Sequence, residues 1–105
     1  MVFTQNIMKS MVKNKKGSIV YISSTSALDG NIGRNSYSSS KAAIIAQAKT
    51  LSREVGKMNI RVNVIAPGLV NTDMMSQNTP ENIKIDVISR TSLTRVGETK
   101  DIANV

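Results

Sequence analysis

The sequence predicts an α/β chain organised around a βαβ unit with parallel strands. Three observations predict it. Two short runs rich in β-branched residues, Gly17-Ser18-Ile19-Val20-Tyr21-Ile22-Ser23-Ser24 and Ile60-Arg61-Val62-Asn63-Val64-Ile65-Ala66, read as strands. Between them, from about Ser36 to Val55, apolar residues recur at helical spacing. A connection of that length, carrying a helix, returns the second strand parallel to the first by a right-handed crossover.

Taken in order, residues 1–13 read as a helix, because Phe3, Ile7 and Met11 recur every four residues with Met8 and Val12 alongside. Polar residues and Gly17 stop it. The run from Gly17 has the composition of a strand buried on both faces. Residues 24–36 hold Ser, Thr, Asp, Asn and two Gly, the residues of a loop. In the long helix Ile44, Ala48, Leu51 and Val55 step by 4, 3 and 4 onto one face. Ala42, Ala43 and Ala46 leave another part thin enough for a second helix to pack there. Gly56 is the expected C-terminal stop. Pro67-Gly68 closes the second strand, and residues 69–79 are polar, Met-containing and without clear periodicity. Pro80 suits the first turn of a short helix reaching about Ser89, and Thr99-Lys100-Asp101-Ile102-Ala103 reads as the start of another. Parallel sheets are normally buried on both faces within larger α/β domains. Two parallel strands therefore imply that residues 1–105 form part of a longer domain.

Composition narrows the chemistry. The 105 residues carry 14 Lys+Arg against 7 Asp+Glu, a net charge of +7, with no His and no Cys. The usual zinc sites, disulfide frameworks, iron–sulfur clusters, Cys nucleophiles and Ser-His-Asp triads are excluded. Acid–base work falls to Tyr, Lys, Asp or Glu. The sequence has no run of 18 or more apolar residues and opens without the basic-then-apolar order of a signal peptide, so no membrane segment and a cytoplasmic location are expected. The densest basic run, Lys13-Asn14-Lys15-Lys16, reads as a solvated turn, the alternative being a surface for an acidic partner such as nucleic acid or an anionic protein. No aromatic residue interleaves with it to stack bases, and no nucleic-acid partner is expected.

Tyr37 and Lys41 stand four apart at the start of the long helix, which puts both on one face. A free phenol holds its proton up to a pKa of about 10. A neighbouring ammonium and a helix N-terminus both favour the phenolate, so a Tyr-Lys pair is a workable proton donor or acceptor for an alcohol or carbonyl oxygen. Ser24, 13 residues before Tyr37, ends a strand where side chains emerge at the crevice of an α/β sheet. Its hydroxyl is placed to hydrogen-bond the same oxygen.

Ser24, Tyr37-Ser38-Ser39-Ser40-Lys41 and Asn63-Val64-Ile65-Ala66-Pro67-Gly68-Leu69-Val70-Asn71-Thr72 together resemble the C-terminal part of a short-chain dehydrogenase/reductase. The subgroup of 3-oxoacyl-[acyl-carrier-protein] reductases is similar in three further stretches, Gly17-Ser18-Ile19-Val20, Arg61-Val62-Asn63, and Arg95-Val96-Gly97-Glu98 with Asp101-Ile102-Ala103. The resemblance implies a Rossmann-like, doubly wound parallel sheet, present here as a partial segment over residues 1–105. It implies an oxidoreductase using NADP or NAD, with NADPH favoured, and a small-molecule or carrier-bound ketone as substrate. Tyr37 would be the general acid. Lys41 would favour its phenolate and hold the nicotinamide ribose, and Ser24 would polarise the carbonyl. Pro67 and Gly68 would shape the turn beside the nicotinamide, and the Val70 backbone and Thr72 side chain would contact its carboxamide or the diphosphate. The stretch from about Asp73 to Arg95 would bind substrate, with Met74 and Met75 at an acyl site. Helices at 1–13 and 36–55 would pair copies of the chain into a dimer or tetramer. The family's glycine-rich G-x-x-x-G-x-G loop does not occur in this sequence, nor does its last strand. The chain by itself is therefore expected to be inactive, and the alternative reading is a non-enzymatic dimerisation module of the same fold.

Overall fold

In the computed structural model the described residues run from Val2 to Val105, and the side chains of Val2, Phe3 and Ser76 lie outside the description. Phe3, expected on the inner face of the first helix, thus falls outside it. The chain divides into two compact units, one ending at Ala66 and one running from Pro67 to Val105.

The first unit is the βαβ unit with an extra leading helix. Its elements are α1 (Val2–Asn14), β1 (Gly17–Ile22), α2 (Ser26–Asp29), α3 (Asn35–Val55), a 3-10 turn (Gly56–Met58) and β2 (Ile60–Ile65). β1 and β2 are parallel, with Gly17 opposite Ile60 and Ile22 opposite Ile65. The core is Leu51, Val55 and Ile60, with Met8, Met11 and Val12 of α1 and Ile19, Tyr21 and Val62 of the strands packed against it. Each of those three buried aliphatic side chains contributes about 1.5–3 kcal/mol. Ala48 is also buried, so the 44–48–51–55 face is the inward one.

Three local details differ from the expectation. α1 is closed by Lys15 in the left-handed region (φ 48°) and not by Gly17. Lys15 N donates to Val12 O and Lys16 N to Met11 O, the paired bonds of a Schellman end. Gly17 serves packing instead, since a Cβ there would lie 2.5 Å from Met11 Sδ. Gly56 stays right-handed (φ −57°) and continues into the 3-10 turn, while Asn59 (φ 58°) makes the reversal. β1 is buried on one face only, with Val20 50% and Ile22 46% exposed, because α1 and α3 both pack on the Ile19–Tyr21 side.

The second unit contains β3 (Val70–Asn71), α4 (Asp73–Asn78), α5 (Glu81–Arg90), β4 (Gly97–Glu98) and α6 (Thr99–Ala103). β3 and β4 pair in parallel, Val70 with Gly97 and Asn71 with Glu98. The helices at 81–90 and 99–103 stand where the sequence placed them, with Pro80 one residue before α5 as its N-cap. β3, α4 and β4 were not legible, because two-residue strands and a six-residue helix are too short to show a period. α4 is opened by Thr72, whose hydroxyl accepts from Met75 N at 3.3 Å.

Candidate active site

The site residues of the first unit gather where β1 ends. Ser23 N donates to Ile65 O at 2.8 Å, carrying the parallel ladder one residue past the strand. The Ser23 side chain, 3% exposed, donates to the Lys41 carbonyl at 2.8 Å. Lys41 Nζ in turn donates to Ile22 O at 3.1 Å. Two bonds running in opposite directions thus tie the strand end to the first turns of α3. The Lys41 ammonium lies 5.8 Å from the centre of the Tyr37 ring, within range of a cation–ring attraction. The spacing of Tyr37 and Lys41 therefore brings the two groups together as the helical period requires.

Ser24 is buried beside Ser23, and its oxygen accepts from Ser26 N at 3.2 Å. Its own O–H remains a donor for another oxygen. The turn is held further along by Asn31 Nδ2, which donates to Ser26 Oγ at 2.7 Å. Arg34 N bonds Asn31 O, and Ser38 N bonds Arg34 O, so the loop runs directly into α3. Gly30 (φ 72°) and Gly33 (φ 77°) occupy the left-handed region in this loop, where a side chain would be strained. Tyr37 is 43% exposed and stands in an open cleft with Gly33, Arg34, Asn35 and Ser36.

Ser23 is the residue that sequence reasoning passed over in favour of Ser24. A signal was present. Residues 19, 21 and 23 alternate onto the inward face of β1, and a Ser at the third of these positions is a polar group aimed at the covering helix.

The remaining expected site residues belong to the second unit. Pro67 is half-buried and Gly68 exposed just before β3. Val70 lies in β3, and Gly97 N donates to the neighbouring Leu69 O at 3.0 Å. Thr72 is exposed, and its hydroxyl, accepting from Met75 N, keeps its hydrogen to donate. Met75 is buried at 9% and Met74 is 74% exposed, so only Met74 of that pair is open to solvent. Among the described residues no cluster of His, Cys, Asp or Glu fits a metal, and no helix is long and apolar enough to cross a membrane.

Comparison with known proteins places this geometry. The short chain dehydrogenase family matches residues 1–83. The 3-oxoacyl-[acyl-carrier-protein] reductase of Thermotoga maritima is 39% identical over 102 residues, which is 97% of this chain and 41% of that protein. The reductase of the same name from Bos taurus is 40% identical over 96 residues, covering 91% of this chain and 39% of that one. Among solved structures, a 7α-hydroxysteroid dehydrogenase complexed with NADH and 7-oxo glycochenodeoxycholic acid superposes with a TM-score of 0.90 at 38% identity, over 96% of this chain and 40% of its own. The chain spans about two fifths of the length of the relatives it matches. The solved dehydrogenase shares the fold of this chain, and the family match includes β1, α3 and β2 with every group just described around Tyr37. The chain is a member of the short-chain dehydrogenase family, a partial Rossmann segment of it.

Proposed function

We propose that this chain supplies the proton-delivering side of an NAD(P)(H)-dependent oxidoreductase that interconverts a ketone and a secondary alcohol. Its substrate is a 3-oxoacyl thioester on an acyl carrier protein. The observation that carries the reading is Lys41, which lies within reach of the Tyr37 ring and hydrogen-bonds Ile22 O at the end of β1, two residues before Ser24.

Each unit, taken by itself, offers a donor suited to the nicotinamide end of such a cofactor. The Lys41 ammonium has three N–H groups, one of them on Ile22 O, leaving donors for ribose hydroxyls. The free hydrogen of the Thr72 hydroxyl suits a carboxamide oxygen. A bound reduced nicotinamide would supply the hydride. The chain's own residues handle the oxygen. Ser24 donates its O–H to the carbonyl and holds it in place. Tyr37 passes its phenolic proton to that oxygen as negative charge builds there. The Lys41 ammonium stabilises the phenolate left behind. In the oxidative direction the same groups run in reverse.

Residues 1–105 are then part of a domain whose glycine-rich pyrophosphate cradle lies outside this sequence. NADPH is the cofactor favoured here, with NADH, which the hydroxysteroid dehydrogenase neighbour is complexed with, as the alternative. α1 and α3 are the faces through which copies of the protein associate. The test is a paired assay. The full-length protein is expected to oxidise NADPH saturably with a 3-oxoacyl thioester, while the 105-residue chain alone shows no saturable nicotinamide fluorescence change. Absence of turnover by the full-length protein with either cofactor across a panel of ketones refutes the assignment.

A further inference from the structure

The segment proposed to face the nicotinamide has little of its own to hold it. β3 is two residues long, and its strand partner among the described residues is β4, also two residues long. A pair of strands that short is not stable in isolation. What fixes β4 lies on its far side. Arg95 Nη1 and Nη2 donate to Asp101 Oδ2 at 2.7 Å and Oδ1 at 3.1 Å, a two-pronged pairing. Asp101 Oδ2 also accepts from Glu98 N at 2.7 Å, and Arg95 Nη1 also donates to Val96 O at 3.0 Å. From β4 the chain of bonds continues into β3, where Asn71 Nδ2 donates to Glu98 Oε1 at 3.4 Å and Gly97 N to Leu69 O at 3.0 Å. The two strands approach closely, since a Cβ on Gly97 would stand 3.3 Å from Leu69 O. Asn71, the last residue reached, sits between Val70 and Thr72.

The Arg95 hydrogen bond and the Glu98 N–H hold the Asp101 carboxyl down to about 2, so it is ionised throughout the working range. Arg95 and Asp101 remain 47% and 35% exposed at the side chain. An exposed ion pair adds little stability. Its importance here is geometric, because one carboxylate fixes a guanidinium and a strand N–H together.

We propose that Arg95 and Asp101 are a positioning pair that acts through Glu98 and Asn71 to set the Val70 backbone and the Thr72 hydroxyl against the nicotinamide end of the cofactor. The proposal rests on the role given above to Val70 and Thr72. It assigns neither charged residue a contact with the reacting atoms. Its signature is a loss confined to one end of the cofactor.

The experiment compares binding of NADPH with binding of 2′-phosphorylated ADP-ribose, which lacks the nicotinamide, to the full-length protein and its variants. Arg95→Ala is expected to weaken NADPH roughly tenfold, the order of one hydrogen bond's net free energy, and to leave the fragment within about twofold. The exchanged pair Arg95→Asp with Asp101→Arg is expected to recover part of the loss. Asn71→Ala leaves the ion pair intact and removes its side-chain link to β3 while the Gly97 N to Leu69 O bond stays, and the same selective loss is expected, so this variant decides the matter if Arg95→Ala does not fold. Equal weakening of both ligands, or no weakening of either, overturns the positioning role. Wild-type protein that binds the fragment as tightly as NADPH overturns instead the underlying reading of Val70 and Thr72.

Discussion

Replacing Ser23 with Ala removes the hydroxyl that joins the end of β1 to α3. Ser23 is 3% exposed and its Oγ lies 2.8 Å from the Lys41 carbonyl. Deleting one partner of a buried hydrogen bond costs about 1–3 kcal/mol, the upper end applying when the other partner is left unsatisfied. Lys41 lies in the interior of α3, so its carbonyl also accepts the ordinary helical bond from the residue four further on. The cost therefore falls at the low end, about 1 kcal/mol, which in a domain of 150–250 residues lowers Tm by about 2–4 °C. The catalytic effect is expected to be larger than that change suggests. The Lys41 Nζ to Ile22 O bond is then the remaining side-chain hydrogen bond between strand end and helix among the described residues, and small misplacements of reacting groups cost up to about a hundredfold in rate. In the full-length protein, Ser23→Ala should lower kcat roughly tenfold and leave the cofactor KM nearly unchanged. Ser23→Cys, with similar volume and a weaker donor, should fall between. Steady-state kinetics and thermal unfolding read the two effects separately. A lowered Tm with unchanged kcat would show that Ser23 supports the fold without placing Tyr37 and Lys41.

Two further perturbations probe the packing and the electrostatics. Gly17→Ala puts a Cβ 2.5 Å from Met11 Sδ and 3.0 Å from Met11 Cβ, and the second of these cannot be relieved by the flexible end of the side chain. A destabilisation of about 1–3 kcal/mol is expected by urea unfolding, most of it recovered when Met11→Ala is added; additive effects of the two changes would contradict the contact. Asp101 has a folded pKa of about 2, below an ordinary carboxyl near 3.9. Its contribution is then complete above about pH 4 and lost as the pH falls through about 2. Carboxyl-carbon NMR should show a midpoint near 2 that moves up in Arg95→Ala, and a wild-type midpoint near 4 would refute the pairing.

The parts of the fold that the sequence revealed are those with room for a period. α3 shows its inward face in Ile44, Ala48, Leu51 and Val55, and the three long elements β1, α3 and β2 imply the parallel crossover that the structure contains. Tyr37 and Lys41 were legible for the same reason, since four residues on a helix is one turn. The reversals were read from the wrong residues. Glycine was the expected terminator at 17 and 56, and the left-handed positions are Lys15 and Asn59. Intrinsic preference names the residue best suited to such a position, while tertiary contacts decide which residue occupies it. The expectation of a doubly buried β1 followed from composition alone, which counts apolar residues on both faces without knowing which face the helices cover. In the second unit the two helices at 81–90 and 99–103 were legible, while β3 and β4 were hidden because their order comes from particular bonds, Arg95 to Asp101 and Asn71 to Glu98, and not from patterning.

Proton donation by Tyr37 is the step on which the proposed activity depends. Tyr37→Phe removes one oxygen from a side chain that is 43% exposed, so the fold and the cofactor site should survive. The decisive measurement is kcat of this variant in the full-length protein, alongside its circular dichroism and NADPH affinity. A fall of roughly a hundredfold or more, with folding intact and NADPH affinity within a few-fold of wild type, is the predicted result. Near-normal kcat in a folded Tyr37→Phe protein would contradict the account.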